Sequence, residues 1–499
     1  MSEKKNFQSK SFRFRKELQG SLVGFFVLGL IFSLVSCAAN PVTGQPQLML
    51  LSEGEEIQLG RQTDAQIVED YGTYQDQTLI TYMDGVGRKM ARLSHRPGLP
   101  YQFKILDTPV VNAFAVPGGY VYLTRGIMAN LNSEAELAGV MGHEIGHITA
   151  RHSAQQYSKA QLAQITLGSA MILSETFRGF ADLAQLGVGM LFLSFSRDDE
   201  READDLSVEY SSKAGYDATH MALFFETLER MQPKSDRSGL PEWFSTHPNP
   251  DDRIGAVQRR AKEWQKELGI KNLKVNRDVY LKNIDGLVFG ENPREGFVEH
   301  NVFFHPLLRF QFPVPVNWTL QNTRTMVRMT SSKKDAAILF TFSPADSPKK
   351  AAQTFVNESG AVVVSSARKN VNGLPAFRLV TKIRTNRGIM EIMSYFIQEG
   401  ARVYEFHGLA LESRFQGYSR IFENTMERFK RLRDRRKLNI KPDRIRVVSS
   451  PKAGTMEQVL RSLGTPEGKL KQWAIMNGKT LSEPVPSGML LKIVKKGGY

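Results

Sequence analysis

His143-Glu144-Ile145-Gly146-His147 decides how this chain is read. At 3.6 residues per turn, His143 and His147 fall one turn apart on the same helix face, where two imidazoles can grip one metal ion. Glu144 sits beside them on that side, in the position of a general base. Ser133, with Glu136 three residues on, predicts a capping box, and no proline interrupts the chain from there to Tyr157. The pentapeptide alone would arise by chance in roughly one chain in a hundred of this length, so it needs support from elsewhere.

A catalytic zinc takes three protein ligands and keeps one position open. The metzincin spacing would place Gly at 150 and His at 153, where this chain has Ala150 and Ser153, so that class is excluded. Downstream, Ser196-Arg197-Asp198-Asp199-Glu200-Arg201-Glu202-Ala203-Asp204 opens a second expected helix. Glu200 and Asp204 are four apart on one face, so Glu200 can ligate while Asp204 accepts the outer N–H of a ligating histidine. Glu202 points elsewhere and is expected in solvent. His95, His152, His220, His300, His305 and His407 have no ligand spacing and read as structural or surface residues.

HEIGHITARH, SRDDEREAD and Thr246-His247-Pro248-Asn249-Pro250-Asp251-Asp252-Arg253-Ile254 together resemble the zinc metallopeptidase family of the CAAX prenyl proteases, HtpX and BepA. Asn112-Ala113-Phe114-Ala115-Val116-Pro117-Gly118-Gly119 is similar to that family's active-site edge strand. The resemblance covers about residues 40 to 290. It implies a gluzincin endopeptidase with one Zn2+ on His143, His147 and Glu200 and with Glu144 as base. It also implies that His247 lies near the metal as a gate or transition-state stabiliser, and that Arg253 supports the site.

The chain has 499 residues, 41% of them hydrophobic and 10% aromatic, which indicates about three globular domains. The single cysteine excludes internal disulfides and cysteine-rich metal sites. Basic residues from Lys4 to Lys16 precede an apolar run from about Ser21 to Val35, the pattern of a signal peptide. Leu34-Val35-Ser36-Cys37 resembles a bacterial lipobox, which implies a lipidated Cys37 and, with Ala38 after it, sorting to the outer membrane. Formal charge is +15, and Arg428 to Arg446 holds ten basic and two acidic residues. Outside the cytosol such a run meets anionic lipid, lipopolysaccharide or cell-wall polymer, and no nucleic-acid partner is expected.

The expected architecture is α+β and multidomain. A signal peptide (1–36) precedes a mainly helical peptidase domain with a small sheet (37–290). An α+β accessory domain (297–432), of a kind that resembles PsbP, is followed by a small module (440–499) that resembles LysM in its strand–helix–helix–strand order. Two apolar stretches, Ile165 to Leu173 and Leu186 to Phe195, read as short buried helices walling the site. All candidate catalytic groups lie before residue 260, so a chain ending near Pro293 is expected to keep the zinc site. The function expected is a cell-envelope endopeptidase acting on misassembled proteins. A chaperone-like assembly factor with a gated site and a cell-wall-binding protein are the competing classes. Partners would be peptide substrates, the membrane through Cys37, and peptidoglycan or the outer-membrane assembly machinery.

Overall fold

The computed structural model describes residues 37–171, 195–231, 243–248, 252–385 and 388–497. Residues 1–36, read above as a signal peptide, and most of the second apolar stretch lie outside them. No helix among the described residues is long and apolar enough to cross a membrane. The chain is α+β and multidomain, with helices and several separate sheets.

A short antiparallel hairpin, β1 (Cys37–Ala39) with β2 (Pro46–Leu48), leads into a helix over Glu53–Tyr71. Ser52 and Glu55 cap that helix reciprocally. The next helix, Gln77–Arg92, is capped by Asp76. Three strands follow, β3 (Gln102–Leu106), β4 (Ala113–Val116) and β5 (Tyr120–Thr124), in the order β3-β5-β4. β5 is parallel to β3 and antiparallel to β4, which leaves β4 at an edge.

The HExxH motif lies on the helix Glu134–Thr149, every residue of which is buried. Ser133 accepts from the Glu136 amide at 3.1 Å, as expected of an N-cap. The reciprocal half of the capping box is absent: the Glu136 carboxylate reaches one residue further back and accepts from the Asn132 amide at 2.8 Å. The chain then reverses at Arg151, whose φ is +64°, and a new helix starts at His152. Gly142 and Gly146 place the motif helix against the helix Arg197–Lys213. A Cβ at Gly146 would meet the Ala203 Cα and carbonyl at 3.1 Å, and one at Gly142 the Ser207 Cα at 3.1 Å. Two small residues one turn apart on each helix thus bring Glu200 and Asp204 alongside the two histidines.

The C-terminal residues do not stand apart. Arg444–Ser449 and Leu490–Lys495 pair antiparallel around the helices Met456–Ser462 and Leu470–Met476, the expected strand–helix–helix–strand order. Ile445, Met456, Val459, Leu460, Leu470, Trp473 and Leu491 are buried in one continuous apolar core with Leu137, Met141, Phe224 and Tyr280 of the preceding helices. Lys492 is fully buried, and its ammonium donates to the carbonyls of Ala129 (2.9 Å) and Leu131 (2.7 Å), just ahead of the motif helix. This shared core speaks against the expectation that a chain ending near Pro293 keeps the zinc site. A strand pattern cannot say which surface an outer apolar face packs on.

Residues 297–432 hold a separate core. A seven-stranded antiparallel sheet stands beside a four-stranded one, with helices over Pro348–Ser359 and Glu412–Met426. The basic run is partly structural: Lys430 and Arg431 pair with Gln311 and Phe310, and Arg446 faces Asp285 at 3.3 Å. His305, in the four-stranded sheet, accepts from the Leu308 amide at 3.2 Å, and burial holds its pKa down at about 4. An unfolded imidazole titrates near 6.5, so the unfolded chain takes up a proton that the folded one refuses. Stability is full above about pH 6.5 and falls as pH drops toward 4. His305→Gln should recover up to about 3 kcal/mol of that acid loss, read from denaturation midpoints at pH 7 and pH 4. An unchanged acid slope would contradict it.

Candidate active site

Four side chains from three segments converge. His143 Nε2 lies 3.0 Å from His147 Nε2 and 3.2 Å from His247 Nδ1. Glu200 brings Oε1 to 2.9 Å from His247 Nδ1 and 3.4 Å from His147 Nε2, and Oε2 to 3.6 Å from His143 Nε2. All four donor atoms fall within 4.8 Å of one another, and all four residues are buried. Burial holds the imidazoles of His143 and His147 well below their usual pKa, hence neutral. Burial opposes ionisation of Glu200, yet His247 and His143 hold its carboxyl well below the usual range. Lone pairs and a carboxylate facing one another in a dry interior repel unless a cation sits among them. Two imidazoles and a carboxylate are a zinc donor set, so the residues present fit that ion.

The outer contacts differ between the two motif histidines. His143 Nδ1 lies 2.9 Å from Asp204 Oδ1, and Arg253 grips Asp204 through two bonds of 2.8 Å while reaching Glu200 at 3.1 Å. Arg253 itself is buried, stacked over Phe225 at 4.0 Å. Glu144 is fully buried with neither oxygen hydrogen-bonded among the described residues, and burial pushes its carboxyl up to about 7. His247 Nε2 lies 3.6 Å from Glu144 Oε1.

Every candidate named from the sequence is therefore in one cluster. Two readings change. His152, read as structural or surface, is buried against the site, with Nδ1 2.9 Å from His147 Nδ1. Glu202 is not simply solvated, since it accepts from His152 at 3.2 Å and from Asn40 at 3.2 Å. Two aromatic residues were also missed. Phe195 stacks on His147 at 3.9 Å, and Trp243 stacks on His247 at 4.3 Å. The amide of Trp243 donates to the Val111 carbonyl at 3.3 Å, which ties the His247 segment to the chain entering β4. Part of the His247–Arg253 motif, residues 249–251, lies outside the described residues.

A buried His/His/Glu set on two close-packed helices, beside a glutamate with no hydrogen bond among the described residues, is the arrangement of a zinc metallopeptidase site. Residues 80–261 match Peptidase family M48. The chain is 28% identical over 261 residues to the beta-barrel assembly-enhancing protease of Escherichia coli (strain K12), covering 50% of this chain and 53% of that one. It is 32% identical over 197 residues to the putative beta-barrel assembly-enhancing protease of Vibrio cholerae, covering 38% of this chain and 40% of that one. It is 26% identical over 276 residues to the mitochondrial metalloendopeptidase OMA1 of Bos taurus, covering 51% and 52%. The chain thus spans about half the length of the curated relatives it matches. Cyanobacterial PsbP from Synechocystis sp. PCC 6803 aligns with 26% of this chain and 91% of its own, with a TM-score of 0.23 and 12% identity, too weak a likeness to type any domain.

Proposed function

We propose that this protein is a zinc-dependent endopeptidase of the bacterial cell envelope, acting in quality control of outer-membrane or periplasmic proteins. The observation that carries the reading is Glu144, a buried carboxyl with no hydrogen bond among the described residues, beside a converging His143/His147/Glu200 set. The relatives named for β-barrel assembly supply the substrate class. In this reading His143, His147 and Glu200 hold the ion, which when bound supplies Lewis acidity toward a peptide carbonyl and toward water. Glu144 takes a proton from the attacking water and passes it to the leaving amine. Asp204, clamped by Arg253, fixes the tautomer of His143. The edge strand β4 gives an extended peptide a row of backbone partners and so its register.

One observation favours the gated variant of this reading. His143, Glu144, His147, Glu200 and His247 are all essentially inaccessible, and His247 fills the fourth place in the cluster. A peptide carbonyl enters only when the Trp243–His247 segment moves, so His247 serves as gate when closed and as a donor to the oxyanion when peptide is present. Cys37 would anchor the protein in the outer membrane, and residues 440–499, LysM-like in order, would face cell wall; intact-mass measurement of Cys37 in the mature chain decides the anchor. The experiment for the function is envelope proteomics of cells carrying wild type or Glu144→Gln. Misassembled outer-membrane proteins should accumulate with the variant. Equal proteomes, and equal rescue of an envelope defect, would favour the chaperone-like class instead.

A further inference from the structure

The proton inventory around His147 extends the zinc reading, on which this inference rests. His147 turns Nε2 toward His143 Nε2 and Glu200, so that nitrogen carries the lone pair and Nδ1 carries the hydrogen. Nδ1 faces His152 Nδ1 at 2.9 Å, which must then be the acceptor. The hydrogen of His152 consequently sits on Nε2, and that atom points at Glu202 Oε2 (3.2 Å) and Asp199 Oδ1 (3.6 Å). The other oxygen of Glu202 accepts from Asn40 Nδ2 at 3.2 Å. Asn40 has no freedom to flip: its Oδ1 already accepts from the amides of Val42 (2.7 Å) and Thr43 (3.2 Å) inside the β1–β2 turn.

We propose that His152 and Glu202 form a relay that positions the zinc ligand His147, closed at its outer end by Asn40, so that the seating of the N-terminal hairpin sets how tightly the metal is held. His152 and Glu202 are positioning residues and touch no substrate. The two ligating histidines are thus supported unequally. His143 leans directly on a buried carboxylate clamped by Arg253. His147 leans on a longer chain whose last carboxylate keeps 26% of its side chain exposed. The hairpin is fixed beneath the same turn: Gln47 donates to the Ala150 carbonyl at 3.1 Å, and Leu50 donates to Ser158 Oγ at 3.0 Å. A displacement of β1 and β2 therefore pulls Asn40 off Glu202 and lets the His152 ring turn.

The test is zinc release from purified full-length holoprotein into excess chelator, followed with a chromogenic zinc indicator. His152→Ala and Glu202→Gln should each release zinc about 10-fold faster than wild type, in line with the 10–100-fold range for outer partners of metal ligands. Asn40→Ala should release it a few-fold faster, and should add nothing in the Glu202→Gln background. His152→Asn, which keeps one acceptor and one donor, should recover part of the loss. Wild-type rates in Glu202→Gln and Asn40→Ala would overturn the relay while leaving the zinc site standing, and these two variants carry the test if His152→Ala does not fold. Additive effects of Asn40→Ala and Glu202→Gln would overturn the role of the hairpin. A wild-type protein that holds no zinc would instead refute the metallopeptidase reading itself.

Discussion

Glu144→Gln should retain zinc, fold normally and lose peptide hydrolysis by about 10²–10⁴-fold, the range for removing a positioned general base. The amide has nearly the shape of the carboxylate but cannot take a proton from water. Glu144 is not among the four grouped donors, so the substitution removes no ligand. The stability arm is equally definite. Glu144 is fully buried, and neither oxygen has a hydrogen-bond partner among the described residues. Replacing an ionisable group in that setting with a neutral one relieves a desolvation cost, so the melting temperature should stay level or rise. Turnover of an unfolded protein substrate, beside elemental analysis of the same sample, checks both arms. Hydrolysis at the wild-type rate would remove Glu144 from the mechanism.

Ending the chain near Pro293 should abolish the folded peptidase domain rather than merely relocate it. Ile445, Met456, Val459, Leu460 and Leu491 are each buried in the core shared with the motif helix and its neighbours. At about 1.5–3 kcal/mol per buried side chain, their loss matches the 5–15 kcal/mol by which whole domains are stable. Removing Lys492 also strips the partner from two carbonyls at the foot of the motif helix, those of Ala129 and Leu131. The truncated protein should show no cooperative thermal transition and less than stoichiometric zinc. Within the intact chain, Trp473→Ala should cost about 3–5 kcal/mol, with the zinc site softening in parallel. A truncated chain that melts cooperatively and holds zinc would show that the shared core is dispensable.

What could be read from the sequence follows from geometry that is local to one helix. His143 with His147, and Glu200 with Asp204, are pairs four apart, and helical periodicity alone puts each pair on one face. The glycines at 142 and 146 had no such signature, because their purpose lies on the partner helix, at Ala203 and Ser207. His152 was unreadable for a different reason. Its approach to His147 depends on a reversal at Arg151, a non-glycine residue with positive φ, held by the Glu56 carboxylate and the Leu51 carbonyl. Five residues along a continuous helix would have carried His152 away from His147. Glu202 faces away from Glu200 on its own helix, and only the start of the His152 helix and the hairpin at Asn40 make that side part of the site. The C-terminal unit showed its strand–helix–helix–strand order plainly. Its docking did not show, since an outer apolar face and one buried lysine carry no address in one dimension.

One zinc ion should sit where His143, His147 and Glu200 meet. X-ray diffraction from crystals of the purified full-length protein, recorded on both sides of the zinc absorption edge, tests it most directly. A single anomalous peak is expected within ligand distance of the Nε2 atoms of His143 and His147 and of the Glu200 carboxylate, with Glu144 close by but unbound. A peptidase-active preparation with no peak there, or with its zinc bound at other residues, would contradict it.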